Sequence, residues 1–388
     1  MNISFLKRLF SLLLLLMVSY SISYSQDDNG SSNNDKVNTV TTAVPFLMIT
    51  PDARAGAMGD AGVSSTPDVF SMHWNPAKYA FTESKFAAAL SYTPWLRNLV
   101  NDIGLSYLSG YYKIDELQTI AASLMYFSLG EIQFTDINGL PMGTYKPNEM
   151  AIDFAYARLL GEQLSGAIAV RYIYSDLTQG QVVEGMPTKP GRAVAADVSA
   201  YYKNELEWKT PALFAFGFNI SNIGNKISYT DDVNANFIPI NLRLGPSMLF
   251  DLDDFNQFAV MVDMNKLLVP TPNPERAEEI QNMSVVSGMF NSFSTAPGGF
   301  SEHLNEITYS VGMEYLYDKQ FAIRAGYFNE HRLKGNRKYF NMGFGLKYNV
   351  LALDFSYLVP VGVLSPLQNT IRISLSFDFH SYAVQQRQ

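Results

Sequence analysis

The four histidines of this sequence are candidate metal ligands, because neutral imidazole is the commonest protein ligand for metal ions. They stand far apart in the chain, at His73, His303, His331 and His380. None belongs to an HExxH pair, and the sequence contains no cysteine that could complete a tetrahedral site. The spacing therefore predicts no metal site, and no cofactor motif accompanies it.

Motifs for nucleophilic catalysis and phosphate binding are also missing. The sequence has no GxSxG elbow, no GxxxxGK(S/T) loop and no GxGxxG turn. Gly56, Gly59 and Gly62 are spaced three apart, but no predicted strand precedes them, so close packing explains them better than a phosphate site does. Ser381 follows His380, and adjacent residues of a strand point to opposite faces. We expect no catalytic residues and no enzymatic activity.

Ionised side chains fall on the polar faces of the predicted strands. Isolated burial of such groups is costly, so they must pair or stay hydrated. We expect a salt-bridge network in which Arg54, Asp52 or Asp60 binds the wall of the fold, with a proton or ion path as the alternative. The wall residues are Asp153, Arg171, Asp197, Arg243, Asp263, Glu314, Arg324, Asp354, Arg372 and Asp378.

The N-terminus predicts export from the cytoplasm. Two basic residues precede a short apolar run, and a small-residue triplet ends at Ser25, the pattern of a signal peptide over residues 1–25. Residues 26–43 are polar and are expected to be disordered. Removing the signal takes away two positive charges, which moves the formal net charge from −8 to −10 (−8 − 2) and argues against nucleic acid as a partner.

Alternation of apolar and polar residues predicts strands that cross a membrane. In TIRISLSFDFH, residues 370–380, every second side chain is apolar, and tilted membrane strands need about 9–11 residues of this kind. The pattern recurs fourteen times, an even number as single-chain bacterial barrels require. The predicted strands cover approximately 86–93, 101–113, 117–128, 149–160, 163–176, 192–203, 212–222, 239–252, 255–265, 306–318, 320–330, 337–349, 350–359 and 369–380.

Connection lengths alternate with these strands. The odd connections include 129–148, 177–191, 223–238, 266–305 and 360–368, whereas the even ones are a few residues each. Barrels of the outer membrane have long outer loops and short periplasmic turns, so the lengths support an all-β transmembrane barrel. One strand contains Gly245 and Pro246 in its middle, and proline cannot donate to the ladder. We expect a bulge there, with a lateral gap in the wall as the alternative.

The connection 266–305 is the strongest candidate for binding a partner, because connections of this length are usually functional or disordered. It contains apolar side chains that a solvated loop gains nothing by exposing. They form a contact surface or fold down to cap the barrel mouth, and both readings remain open. The candidate residues are Val285, Met289, Phe290, Phe293 and Phe300, next to Val286.

An apolar plug followed by a string of small residues precedes the first strand. In VPFLMITPDARAGAMGDAG, Phe46, Leu47 and Met48 form the plug and the glycines permit close approach to a wall. We define residues 44–85 as the hatch, which we expect to fill the barrel lumen. The barrel then covers residues 86–380, and residues 381–388 form a C-terminal tail.

The hatch resembles a known family. AGAMGDAGVSSTPDVFSMHWNPAKYA, residues 55–80, is similar to the N-terminal signature of the FadL family of outer-membrane barrels, in which a Gly/Ala string precedes Asn-Pro-Ala, here beginning at Asn75 and Pro76. The preceding PFLMITPDARAGAMG, which includes Arg54, resembles the PorV proteins of the type IX secretion system. Barrel chains commonly end on an aromatic residue, whereas nine residues follow Phe379 here.

The resemblance implies a non-enzymatic function at the cell outer membrane. PorV-like proteins bind the C-terminal signal domains of secreted cargo at the translocon barrel and carry them to a cell-surface sortase and attachment complex. The alternative is a FadL-type transporter of long-chain fatty acids or other hydrophobic molecules, which would use the apolar plug and a lateral gap near Pro246. A lipid hydrolase has only the adjacent His380 and Ser381 as support.

Overall fold

A computed structural model describes residues 37–96, 102–135, 139–183, 186–230, 235–362 and 367–379. The chain divides into two units, Met1–Val37 and Asn38–Gln388, and every element given below belongs to the second. The expected signal peptide and C-terminal tail lie outside the described residues, as does most of the polar segment 26–43. The division into these segments stays a prediction.

Fourteen antiparallel strands form a closed barrel, which confirms the fold predicted from alternation. Each strand pairs with its neighbours in the barrel along the chain, and the first strand pairs with the last to close the wall. The barrel strands are β1 (Phe86–Pro94), β2 (Gly104–Lys113), β3 (Gln118–Ser128), β6 (Asn148–Leu159), β7 (Leu164–Asp176), β10 (Gly191–Leu206), β11 (Ala212–Gly224), β12 (Asn241–Asp251), β13 (Asn256–Leu267), β14 (Thr308–Tyr317), β15 (Phe321–Asn329), β16 (Lys338–Tyr348), β17 (Leu351–Pro360) and β18 (Ile371–Asp378).

Two small hairpins stand outside the wall, in connections that the sequence left irregular. The third connection contains β4 (Ile132–Thr135) and β5 (Pro141–Tyr145), and the fifth contains β8 (Val182–Val183) and β9 (Met186–Pro187). Their strands have two to five residues and lack a long alternating pattern, so periodicity could not reveal them.

The wall turns its apolar side chains outward and its polar ones inward. In β7, Ile168 and Val170 are 60% and 52% exposed. The alternate residues Ala169 and Arg171 are only 2% and 6% exposed. The same alternation holds in β14, where Val311 is exposed and its polar neighbours are buried. Exposed aliphatic side chains around the barrel give the apolar outer band that a lipid environment requires.

The glycine and proline of β12 form neither of the expected irregularities. Pairing with β13 skips Gly245 and Pro246, yet Leu244 pairs with Met264 and Ser247 with Met261, so the register is the same on both sides. The expected bulge is therefore wrong, because no extra residue is inserted. The lateral gap is also absent: both residues pair with β11, and a side chain on Gly245 would overlap the Val262 carbonyl of β13.

The hatch lies inside the barrel as four short helical turns. They are a 3₁₀ turn at Pro45–Met48, α1 (Ala53–Ala57), α2 (Ser71–Trp74) and a second 3₁₀ turn at Pro76–Phe81. Helix α1 contacts β16, β17 and β18, and the second 3₁₀ turn contacts β6 and β7 on the opposite side. Because these strands face one another across the barrel, the hatch spans its lumen.

The ninth connection folds into helices instead of an irregular loop. It contains a 3₁₀ turn at Pro274–Arg276, α3 (Ala277–Asn282), α4 (Val285–Asn291) and α5 (Gly299–Asn305). Asn273 and Ser284 cap the 3₁₀ turn and α4 through their side chains, and both are typical N-cap residues. No helix among the described residues is long and apolar enough to cross a membrane.

Candidate functional site: the hatch and the outer face

Asp52 begins the first helix of the hatch. Its Oδ2 accepts a hydrogen bond of 2.8 Å from the Ala55 backbone N–H, and its Oδ1 accepts one of 2.7 Å from the Trp74 indole N–H. These contacts join α1 to α2. Burial, followed by the nearby charge of Asp68, raises the pKa of Asp52 from 3.8 to about 6.

Arg54 connects the hatch to the barrel wall through two carboxylates. Its Nη1 lies 2.8 Å from Asp68 Oδ2 within the hatch, and its Nη2 lies 2.9 Å from Glu314 Oε2 on β14. Glu314 also binds Arg324 at 2.7 Å, and Arg324 binds Asp354 on β17 at 2.6 Å. The result is a continuous chain of five alternating charges, which we call the ion chain (Asp68, Arg54, Glu314, Arg324 and Asp354).

Other charged side chains of the wall bind either neighbouring strands or the backbone of the hatch. Arg171 on β7 lies 2.5 Å from Asp153 and 3.3 Å from Asp197 on the flanking strands, which ties wall to wall. Asp263 on β13 accepts hydrogen bonds of 2.8 and 2.9 Å from the Gly62 and Val63 backbone N–H groups of the hatch. The wall therefore holds the hatch by its backbone as well as by its side chains.

Asp60, Arg243 and Arg372 lie at the outer half of the lumen, where the Arg243 Nε donates a hydrogen bond of 2.7 Å to Asn265 Oδ1. Asp60 accepts a hydrogen bond from the Tyr339 hydroxyl and lies 3.6 Å from the Arg372 guanidinium. Arg243 lies 4.5 Å over the Trp74 ring, which places a cation on the face of an aromatic ring. Asp378 instead lies at the end of β18, 3.5 Å from Lys347.

The three hatch glycines stand where a larger side chain would not fit. A Cβ on Gly56 would lie 2.8 Å from Arg372 Cδ, and one on Gly59 would lie 2.6 Å from the Tyr327 backbone N. A Cβ on Gly62 would lie 2.5 Å from the Trp74 ring, and Gly59 also has a φ of +70°. These contacts explain the glycine string by packing against wall and hatch.

Asn75 and Pro76 fasten the inner half of the hatch. The Asn75 amide donates hydrogen bonds of 3.0 Å to the Val63 carbonyl and 2.9 Å to the Ala200 carbonyl on β10. Its Oδ1 accepts from the Ala77 N–H, and Pro76 occupies the first position of the 3₁₀ turn, where a missing N–H costs nothing. The Asn-Pro-Ala sequence thus joins both halves of the hatch to the wall.

The apolar plug packs at the outer end of the lumen. Phe46 and Leu47 are 1% and 4% exposed, and the Phe46 ring stacks on Phe127 of β3 with centroids 6.3 Å apart. Met48 is half-buried and lines a cavity of about 270 Å³ above the hatch, together with charged residues that include Glu330 and Arg337. A second cavity, of about 470 Å³, lies on the inner side and is lined by the ion chain.

Two further hatch residues were missed by the sequence analysis. Lys78 is fully buried and donates hydrogen bonds of 2.9 Å to the Gly62 carbonyl and to the Ser65 hydroxyl, and burial lowers its pKa to about 8. Asp68 binds Arg54, as described above. Lys78 directly follows Asn-Pro-Ala, and this position is the sequence signal that could have drawn attention to it.

The histidines do not assemble a metal site in the described part of the chain, where no group of three or more His, Asp and Glu side chains could hold an ion. His73 is enclosed in the hatch, and burial, with the charges of Arg243 and Arg171, holds its pKa well below the usual value. His303 lies 3.2 Å from Glu306 on the outer face. His380 and Ser381 lie outside the described residues.

The helices of the ninth connection form the second candidate site, which we call the outer face (residues 274–305). Phe290, Phe293 and Phe300 are 76%, 53% and 78% exposed. Val285 and Met289 are half-buried and pack down against the main buried cluster. The structure therefore divides the five candidates between the two readings, with three side chains presented to solvent and two directed toward the barrel mouth.

Ion pairs fix the outer face on the barrel. Glu306, directly after α5, lies 2.5 Å from Lys266 of β13 and 3.1 Å from Lys334 of the eleventh connection. Lys334 also lies 2.6 Å from Glu302 of α5. All four side chains are largely buried, so solvent screens these pairs little. The exposed phenylalanines therefore stand on an anchored support.

The family model for the type IX secretion system protein PorV matches residues 31–274, which is more than half of the chain. The chain belongs to the PorV family. It is thus an outer-membrane β-barrel of a protein secretion system. No curated protein matches it.

Solved structures similar to this PorV-family chain include outer-membrane transporters and channels of hydrophobic molecules. The toluene transporter TodX of Pseudomonas putida has a TM-score of 0.51 at 10% identity, with 88% of this chain and 99% of that chain covered. The CymD monoaromatic hydrocarbon channel has a TM-score of 0.49 at 14% identity, with 88% and 99% covered. A FadL homologue of Pseudomonas aeruginosa has a TM-score of 0.45 at 10% identity, with 86% and 99% covered. At such identity the likeness of TodX shows the fold alone.

We predict that removing Arg54 from the ion chain destabilises the folded barrel. The substitution Arg54→Ala leaves Asp68 and part of Glu314 without a cation in a buried site, where breaking such a pair costs about 3–5 kcal/mol. Urea unfolding in detergent micelles measures the loss. Arg276→Ala serves as the matched control, because the Arg276–Glu279 pair at 2.7 Å is exposed and its loss should change stability little. Equal effects of the two substitutions would contradict the anchoring role.

We also predict a pH dependence from Asp52. Because its folded-state pKa is raised from 3.8 to about 6, the stabilisation is fully present below the lower value and is lost as the pH rises through the higher one. Between pH 3.8 and about 6 the unfolding free energy of the wild-type protein should therefore fall, relative to that of Asp52→Asn, by on the order of 3 kcal/mol. The lost acceptor adds a pH-independent offset. Parallel pH profiles of both proteins would contradict the assignment.

Proposed function

We propose that this protein binds the C-terminal signal domains of secreted cargo at its outer face and shuttles them from the type IX translocon barrel to the cell-surface sortase and attachment complex. Membership of the PorV family supports the secretion system as the setting. Binding then takes place outside the cell, where the long connections lie in an outer-membrane barrel.

The observation that carries this proposal is the set of exposed phenylalanines on the outer face. A solvated loop gains nothing from Phe290 and Phe300 at 76% and 78% exposure, whereas aromatic side chains dominate binding energy at protein interfaces. The buried pairs of Glu306 hold α5, which carries Phe300, and the packing of Val285 and Met289 on the main buried cluster holds α4, which carries Phe290, so little conformational entropy would be lost on binding. An affinity set by few aromatic contacts also allows the release that a shuttle requires.

The hatch supports a binding function instead of conduction. It spans the lumen and contacts wall strands on opposite sides. The cavities above and below it include ionised side chains among their lining residues, namely Glu330, Arg337 and the ion chain, which disfavours a hydrocarbon as their occupant. Transport of hydrophobic molecules is therefore the weaker proposal, and the closed wall at Pro246 removes the lateral exit that it would use.

The proposal is tested by Phe290→Ser combined with Phe300→Ser. Loss of one interface aromatic worth about 2 kcal/mol at a hot spot should weaken capture of cargo bearing an uncleaved signal domain by roughly 30-fold, and loss of both by on the order of 1,000-fold if the two effects add. Co-purification in mild detergent measures this loss. Trp208→Ser is the matched control, because Trp208 is 56% exposed but lies in a short turn at the other end of the barrel, and it should leave capture unchanged.

Heat-modifiable migration on gels shows whether each variant retains its folded barrel. A folded double variant that captures cargo as well as wild type would contradict the choice of the outer face, as would a folded protein lacking residues 270–300 that keeps every partner. Uptake of labelled fatty acid by liposomes containing the protein, without any cargo capture, would favour the transporter instead.

A further inference from the structure

The segment before the hatch, residues 38–43, is bound to long connections of the barrel. The Asn38 N–H donates to the Leu333 carbonyl at 3.0 Å, and the Asn38 amide donates to the Pro272 carbonyl at 3.2 Å and to Glu302 at 2.9 Å. Five residues later, the Ala43 N–H donates to the Phe237 carbonyl at 2.9 Å. We call this segment the strap.

The partners of the strap belong to three different connections at one end of the barrel. Phe237 lies in the connection between β11 and β12, Pro272 and Glu302 lie between β13 and β14, and Leu333 lies between β15 and β16. These are the seventh, ninth and eleventh connections, all of the long class. The strap therefore lies at the end of the barrel opposite to the short turns.

The hatch then runs through the lumen toward the short turns. Its first residues pack near the long-connection end, where Phe46 stacks on Phe127 at the end of β3. Its last residues lie near the other end, where the Ser165 hydroxyl, at the start of β7, donates to the Ala77 carbonyl at 2.7 Å. Strand β1 begins directly after, at Phe86. The chain thus passes through the barrel once before it forms the wall.

The geometry points to a chain that enters the barrel lumen from the extracellular side. In outer-membrane barrels the long connections are extracellular and the short turns are periplasmic. The strap therefore lies on the extracellular side, and from there the described chain enters the lumen.

The strap also joins the outer face to the hatch. Glu302 accepts from Asn38 and lies two residues from Phe300 in α5, while Lys334 binds Glu302 and Glu306 together. A displacement of α5 by a partner therefore acts directly on the end of the strap. The strap and the outer face form one continuous extracellular surface, of which Thr41 is an exposed part.

The absence of cysteine from the sequence allows a direct test by single-cysteine labelling. Thr41→Cys places a thiol on the strap, Glu278→Cys places one on the outer face, and Glu116→Cys places one in a short turn, all at exposed positions. Intact cells are treated with a polyethylene-glycol maleimide too large for porins, before and after disruption of the outer membrane. Heat-modifiable migration shows that each variant is folded.

We expect Thr41→Cys to be labelled in intact cells to the same extent as Glu278→Cys, with no gain after disruption, whereas Glu116→Cys reacts only after disruption. Labelling of Thr41→Cys only after disruption, as for Glu116→Cys, would overturn the inference. An epitope inserted before Val37 gives a second reading if Thr41→Cys does not fold: antibody binding to intact cells supports surface entry, and binding only to disrupted cells contradicts it. Neither result depends on which partner binds the outer face.

Discussion

Burial of charge inside a closed barrel is the constraint on which the rest of this structure depends. A strand that presents apolar side chains to lipid turns every second residue inward, and the lumen is too confined to leave ionised groups unpaired without a large cost. Arg54 satisfies this requirement for Glu314 on the wall and Asp68 on the hatch at once. The hatch is therefore part of the electrostatic balance of the barrel and not an independent stopper.

The same constraint adds directional contacts to the apolar packing of the hatch, in which Phe46, Phe70 and Tyr79 belong to one buried cluster with wall residues. Wall carboxylates bind backbone N–H groups of the hatch, as Asp263 does for Gly62 and Val63, and glycines allow the backbone to approach. Asn75 completes the attachment through the Ala200 carbonyl. Since these contacts are directional and spread over opposite sides of the barrel, they specify one position for the hatch.

Strands were predictable from the sequence because their signal is local: long alternation places all fourteen within a few residues of their observed limits. Arg54 and Asp60 were also expected to pair with the wall, and they do, with Glu314 and with Arg372 and Tyr339. Asp68 and Lys78 were not predicted, because their partners lie across a loop of the hatch. Hydrophobic periodicity contains no information about such contacts. The Gly245–Pro246 prediction failed because periodicity cannot report whether a neighbouring strand adapts to a missing N–H.

The helices of the outer face show a different limit. Their capping residues, Asn273 and Ser284, were visible, but stretches of three to seven residues are too short for helical periodicity to emerge. The side chains that point outward depend on contacts between residues far apart in the chain: the ion pairs of Glu306 with Lys266 and Lys334 position α5, and the packing of Val285 and Met289 on the main buried cluster positions α4. The exposure of these phenylalanines therefore depends on tertiary contacts, which the local sequence pattern does not reveal.

A lumen occupied by an anchored hatch should not conduct ions, and single-channel recording in planar bilayers tests this most directly. Purified wild-type protein should insert without producing a steady conductance, whereas a folded variant in which Arg54 and Asp60 are both replaced by alanine should show frequent openings. A steady ohmic conductance from the wild-type protein would contradict a barrel that is filled and that works through its outer face.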